Sequence, residues 1–268
     1  MDKFFYQLAL LGYGIAMVGF FIYLLRPQHS VSKAATLVLL SGFFFHSIGF
    51  IISWIDLGYF PFITIKSSLS FVAWFLVIVY LMFGWRLAIL GTFLSPLIVG
   101  LMLLSRVVPS IAEPRPPIKV LWLSLHIGFS LIGDALLALA FCVGIMYLVQ
   151  ERHIKTKKLG GLYQRLPSLT LLDDINHKAL IWGFSMLTLG LILGAIYAQW
   201  VRGHYFTWDP KEVWSVITWL VYAILIHERL AVGWRGRRAA IISIIGFMFL
   251  LFTFFGVNYL LKSYHVFK

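Results

Sequence analysis

Between Tyr197 and Tyr222 the chain concentrates side chains suited to holding a flat ligand. Trp200, Tyr205, Phe206, Trp208, Trp214 and Trp219 supply ring faces, and Arg202, His204 and Lys211 supply positive charge beside them. An aromatic belt at a membrane–water interface accounts for one or two such rings. It does not account for the clustered turn Trp208-Asp209-Pro210-Lys211-Glu212. The following proline holds Asp209 out of the α region. Asp209 can then cap the next helix, with Pro210 at its first position and Glu212 in a first turn whose dipole suits an acid. The loop is therefore expected to be ordered. A planar apolar ligand bearing carboxylates matches this surface, since rings stack on the plane and cations meet the acids. A porphyrin answers that description.

Iron in a haem needs axial ligands, most often an imidazole nitrogen, which directs attention to the eight histidines. His126 lies about six residues into an apolar stretch, roughly 9 Å below its end at 1.5 Å per residue. His265 follows the last apolar stretch. Taken singly, each is better read as an ordinary interfacial or hydrogen-bonded histidine; converging from two helices, they would make a bis-histidine site. His227 lies roughly 21 Å along the helix from Val213, where an ionisable residue within a bilayer is a functional candidate, although Glu228 and Arg229 beside it can equally mark an interface. Asp134, eight residues after His126, falls on nearly the same helical face and can orient that imidazole or join a local pair. His46, near the middle of another apolar stretch, is read first as a hydrogen-bonded core histidine and second as a haem contact. His29, His153 and His177 are expected in loops. The single cysteine, Cys142, excludes an intrachain disulfide, a CxxC pair or a cysteine-rich metal site.

The elements that must position these residues follow from composition. The chain has 268 residues, 61% of them hydrophobic and 12% charged, with a mean hydropathy of +0.91. Soluble domains are about half apolar and about a quarter charged, so a soluble globular enzyme is excluded. Apolar runs able to cross a bilayer, each needing roughly 20 residues, occur near 4–25, 35–55, 67–85, 87–105, 120–149, 179–200, 213–232 and 239–261. The reading is an all-α polytopic membrane protein of about eight transmembrane helices, a single membrane domain over 1–268 whose outer loop covers about 197–219. The third and fourth runs meet at Gly84-Trp85-Arg86 and can also be read as one kinked hairpin. The start, MDKFFYQLALL, lacks a basic n-region and a cleavage site and reads as a retained first helix. Thirteen of the 22 Lys and Arg residues fall on the side that holds 152–178 and 229–238, and nine on the other. The positive-inside rule makes the richer side cytoplasmic, with both termini and the Trp-rich loop outside. The net charge of +12 is read as loops facing anionic lipid, with no nucleic-acid partner.

The run Gly203-x-Tyr205-x-x-Trp208-Asp-Pro-Lys-Glu-x-Trp214-x-x-x-x-Trp219, with Tyr222-Ala223 and His227 after it, resembles the tryptophan-rich "WWD" signature of the haem-handling proteins of cytochrome c biogenesis. Within that superfamily the similarity is to the CcsA, or ResC, family of system II. It extends to Gly58-Tyr-Phe-Pro61, Ser67-Ser-Leu-x-Phe71-x-x-Trp74, Trp122-x-x-x-His126 and Gly256-Val-Asn258 with His265. The resemblance implies an eight-helix protein that accepts haem b from the cytoplasmic side and presents it outside. There a CcsB-like membrane partner helps attach it to the CxxCH motif of apocytochrome c, with thiol-reducing proteins as further partners. It implies that His126 and His265 ligate the iron at the outer surface, that His227 holds haem in transit, and that Tyr205, Trp208, Asp209, Trp214 and Trp219 contact the ring. The sequence departs from the family at Phe206 and Arg202, where Trp is common, and at Tyr264-His265-Val266, where His-Ser-Tyr is usual. The membrane implied is the bacterial cytoplasmic membrane or the thylakoid.

Attachment asks little of side chains beyond orientation and control of the iron, so the chain is an enzyme only as a subunit of a haem-attachment complex. A regulatory membrane protein resembling HemX is the alternative, but it has no need of the Trp-Asp-Pro-Lys-Glu surface. A transporter built on inverted repeats finds no internal repeat here.

Overall fold

A computed structural model describes residues 3–83, 87–108, 120–157 and 160–256. Among them every regular element is a helix: α1 (Lys3–Leu25), α2 (His29–Leu57), α3 (Ile65–Phe83), α4 (Ala88–Val107), α5 (Val120–Lys155), the single turn α6 (Leu162–Arg165), α7 (Leu169–Arg202), α8 (Pro210–His227) and α9 (Arg237–Leu251). α8 and α9 each run on into a π-helical turn, Glu228–Val232 and Phe252–Gly256. Eight of these helices, all but α6, are long and apolar enough to cross a membrane. The protein is an all-α polytopic membrane protein, and each of the eight expected stretches falls on one spanning helix, the last of them as far as Gly256, beyond which 257–261 lie outside the described residues. α3 and α4 are separate helices packed on each other; the Gly84–Arg86 junction lies outside the described residues.

The chain forms two compact units, one built from α1–α4 and α6, the other from α5 and α7–α9. In lipid, helices associate through close packing and interhelical hydrogen bonds. In the first unit the buried positions of α2 are Ser32, Ala35, Leu39, Gly42, His46, Gly49 and Ser53, a spacing of three and four residues that keeps one seam facing its neighbour. Small residues let the backbones meet: a Cβ on Gly12 would stand 2.9 Å from the Cα of Gly42. His46 is fully buried in this seam. Its Nδ1 pairs with the Tyr13 hydroxyl at 3.1 Å, its Nε2 with the Ser70 hydroxyl at 2.9 Å, and its ring stacks on Phe50 at 4.8 Å. Both ring nitrogens are thus engaged by the protein itself, which makes His46 a core histidine. The Gly58 to Trp74 region is tied by rings, Trp54 on Phe60 at 4.9 Å and Phe43 on Trp74 at 5.3 Å, below a left-handed Gly58 that ends α2.

In the second unit polar side chains join the helices. Asn176 of α7 donates to the Ala140 carbonyl of α5 at 2.8 Å and to the Ser243 hydroxyl of α9 at 3.2 Å, and Thr218 of α8 meets Thr253 at 2.8 Å. α7 begins ten residues before the apolar stretch expected at 179, which corrects the reading of His177 and Lys178 as loop residues. His153 lies in the last turn of α5 and His29 opens α2, so neither is in a loop. The physical reason is that charged turns stay helical where their charges pair: Lys178 meets Asp174 one turn away at 2.8 Å, and Asp173 receives Arg229.

Candidate functional site

The loop between α7 and α8 is closed by its own acids. α7 ends where Gly203 takes a left-handed φ of 78° and its N–H donates to the Gln199 carbonyl. Asp209 is 1% exposed and caps α8, its Oδ1 accepting the Lys211 N–H at 2.9 Å with Pro210 in the first turn. This is the cap anticipated from the Asp-Pro-Lys-Glu spacing. Glu212 reaches back across the loop: its Oε2 accepts the Thr207 N–H at 2.7 Å, and its Oε1 accepts the Thr207 hydroxyl at 2.9 Å and the Arg202 guanidinium at 3.2 Å. Trp208, between these two anchored residues, has a φ of 58° and lies 79% exposed, with Phe206 edge-on to it at 5.1 Å. Tyr205 is also exposed. The loop therefore holds a set of ring faces away from the helices.

Other expected ring contacts lie deeper. Trp214 packs on Phe252 at 4.5 Å, and Trp219 stacks on Phe184 at 5.4 Å while its indole N–H donates to the Thr188 hydroxyl at 2.9 Å. Both hold α8 against its neighbours. The loop cations are also engaged by the protein: Arg202 pairs with Glu212, and the Lys211 ammonium interacts electrostatically with Asp209 and with Asp134 of α5. Sequence reasoning gave these cations to a ligand's acids and missed their partners inside the chain.

His126 sits at the same end of the unit. The start of α5 and the end of α7 meet through Trp122 and Trp200, edge to face at 4.8 Å. One turn further along α5, His126 Nδ1 lies 2.7 Å from the Gly190 carbonyl of α7. A carbonyl only accepts, so Nδ1 carries the proton and, in the neutral ring, Nε2 carries the lone pair. That is the tautomer a metal-ligating imidazole needs, with a hydrogen bond on its other nitrogen that fixes ring orientation and raises basicity. Sequence reasoning singled out His126 but not Gly190; the signal available was the small-residue pair Gly190-Leu-Ile-Leu-Gly194, which marks close helix approach.

His227 is the last residue of α8 and is exposed on this chain. Directly after it the helix widens into a π turn, and Arg229 within that turn is buried and grips Asp173 of α7 with two nitrogens, at 3.0 and 2.7 Å. Asp173 Oδ1 also accepts the Gly236 N–H at 2.8 Å. Arg229 is thus a buried structural anchor that sets where α8 ends. The structure brings His126 and the Trp-rich loop to one end of the unit and places His227 at the far end of α8, roughly 25 Å along the helix at 1.5 Å per residue. His265 lies outside the described residues.

A porphyrin would find here an imidazole in the ligating tautomer and exposed indole and phenol faces on a rigid loop, so these residues fit the group. Residues 62–265 match the model of the cytochrome c assembly protein family. The chain belongs to that family. Within it, the chain is 32% identical to the cytochrome c biogenesis protein CcsA of Guillardia theta, over 79% of this chain and 78% of that protein. It is 30% identical to CcsA of Synechococcus sp. strain JA-2-3B'a(2-13), over the same shares, and 31% identical to CcsA of Synechococcus elongatus, over 79% and 80%. These similarities put it among the CcsA proteins. The family match spans α3 to α9, and so takes in both His126 and the loop.

Proposed function

We propose that this membrane protein serves cytochrome c biogenesis by carrying haem b across the bilayer and presenting it on the loop between α7 and α8 for covalent attachment to the CxxCH motif of apocytochrome c. His126 Nε2 and His265 would hold the haem iron, Trp208 and Tyr205 would offer their rings to the porphyrin, and Asp209, Trp214 and Trp219 would hold the platform. His227 holds the same cargo earlier, at the other end of α8. Its exposure on this chain fits a site completed by a membrane partner of the CcsB type. Bound haem supplies the vinyl groups that take the substrate thiols. The protein supplies orientation and control of the iron, which makes it a subunit of a haem-attachment complex, served by thiol-reducing proteins and seated in a bacterial cytoplasmic or thylakoid membrane.

The observation that carries this reading is the Nδ1–H hydrogen bond from His126 to the Gly190 carbonyl, at the same end of the unit as the ring-bearing loop. An absorption spectrum of the detergent-purified protein is the test. A Soret band is expected in the wild type co-purified with its CcsB-like partner, reduced in His126→Gly or His265→Gly, which keep only the haem held at His227, and partly restored by added imidazole, which fills the vacant place on the iron. Cytochrome c maturation should follow the same pattern. A wild-type protein without a Soret band, or full maturation in either variant without imidazole, would overturn it.

A further inference from the structure

α5 and α7 touch along a ladder of small residues, and His126 is the top rung. A Cβ on Gly133 would stand 2.9 Å from the Leu187 nitrogen and 3.0 Å from the Gly183 carbonyl. One on Gly190 would meet the Ser130 hydroxyl at 2.3 Å and its backbone nitrogen at 3.1 Å. At Gly194 the contact changes in kind. The three atoms nearest a Cβ there all belong to the His126 ring, Cε1 at 2.6 Å, Nδ1 at 2.7 Å and Nε2 at 3.3 Å. The Nδ1–Cε1 edge of the imidazole therefore fills the space a side chain at Gly194 would take, and Nε2 is the ring nitrogen farther from it.

We propose that Gly190 and Gly194 are the positioning residues of the haem ligand: Gly190 through its carbonyl, which holds the Nδ1 proton, and Gly194 through its missing Cβ, which leaves the slot the ring occupies. This rests on the reading of His126 as an iron ligand. The two contacts act on different coordinates. The Gly190 carbonyl fixes which nitrogen carries the lone pair. The Gly194 slot fixes how far the ring swings toward α7, and with it where Nε2 stands. α7 ends eight residues later at Arg202, so the helix that aims the imidazole also carries one root of the Trp-rich loop. Ligand and platform are registered by a single rigid element.

The two glycines also differ in what a substitution does. Gly190→Ala presses on the backbone of α5 and forces the helices apart. Gly194→Ala presses first on the His126 side chain, within a helical backbone that favours Ala over Gly by about 0.5–1 kcal/mol. Gly194→Ala is therefore expected to fold with a melting temperature no lower than wild type, to bind haem at least tenfold more weakly, as loss of an orienting contact to a ligating histidine does, and to regain haem with imidazole. The decisive comparison is the double variant. If Gly194 acts through His126, then His126→Gly with Gly194→Ala, supplied with imidazole, carries as much haem as His126→Gly alone under the same conditions.

Wild-type haem content and spectrum in Gly194→Ala would overturn the inference. So would a further loss of haem in the imidazole-supplied double variant. Haem binding unchanged in His126→Gly would instead remove the ligand reading beneath it, a result that no behaviour of Gly194→Ala can mimic.

Discussion

Trp208 holds a left-handed backbone, φ 58°, that a residue with a Cβ adopts at a cost of roughly 1–2 kcal/mol, and the residues on either side keep it there. The Thr207 N–H is fixed by Glu212 and Asp209 is fixed by its cap on α8. Strain of this kind persists where the surroundings over-determine it, and functional surfaces are a common place for it. The consequence is an indole turned away from the helices on a backbone that does not relax. Trp208→Gly removes ring and strain together, whereas Trp208→Ala removes the ring and keeps the strain. Both variants are expected to cut the yield of holocytochrome c. In thermal melts the glycine variant should be the more stable of the two by about 1 kcal/mol. Equal melting would mean the backbone had relaxed in Trp208→Ala, and full holocytochrome yield in both would remove the ring from the mechanism. Asp209→Ala should lower stability by about 0.5–2 kcal/mol through the lost cap, and Asp209→Asn, which can still cap, should retain most of it. An equal loss in both would show that the charge of Asp209, acting on Lys211, outweighs its hydrogen bond.

At the scale of helices, α5 and α8 place opposite charges within reach of each other. The Lys211 ammonium lies within electrostatic reach of Asp134, and so does the fully buried Tyr222 of α8. Breaking such a pair by removing one member leaves the other unmatched in a poorly solvated place, while replacing both restores balance. Asp134→Leu and Lys211→Met should each destabilise the detergent-solubilised protein, and the double variant should recover a coupling energy of about 1 kcal/mol or more in a double-mutant cycle. Strict additivity would show that the two charges are independent. This pairing also marks where the sequence stops being legible. The Asp209 cap could be read because all its parts lie within a few residues of one another. The eight spans could be read because apolar length alone defines them. The Gly190 carbonyl under His126, the Thr188 hydroxyl under Trp219 and the Asp134 partner of Lys211 depend on helix register between segments dozens of residues apart, which periodicity does not fix. Hydropathy likewise truncated α7 at 179, since Asp173, Asp174 and Lys178 lower the average while their own ion pairs keep the helix going.

Across the whole molecule, the thirteen-to-nine division of basic residues leads us to expect the loop after α7 outside and the segment between α5 and α7 in the cytoplasm. Alkaline phosphatase fused after Arg165 should be inactive and fused after Gly203 active; the reverse would invert the topology. In that orientation α8 runs inward from the Trp-Asp-Pro-Lys-Glu turn to His227, one helix between the two proposed histidine stations. Its outer end is fixed by the Asp209 cap and its inner end by Arg229 on Asp173. On the proposed route a haem entering at His227 would have to leave that ligand before His126 could take it, so the stations would fill in order. Lesions at the two ends should then lose haem differently. His227→Gly should leave the complex with a CcsB-like partner nearly empty, because the outer station fills only through the inner one. Trp208→Ala should keep haem at the inner station and fail in delivery. The measurement is haem per protein by pyridine haemochrome in the co-expressed complex, beside the yield of holocytochrome c. Wild-type haem content in His227→Gly would break the sequence of stations and return His227 to a structural place at the end of α8. An empty complex in Trp208→Ala would show that the outer platform is needed for haem to be retained at all.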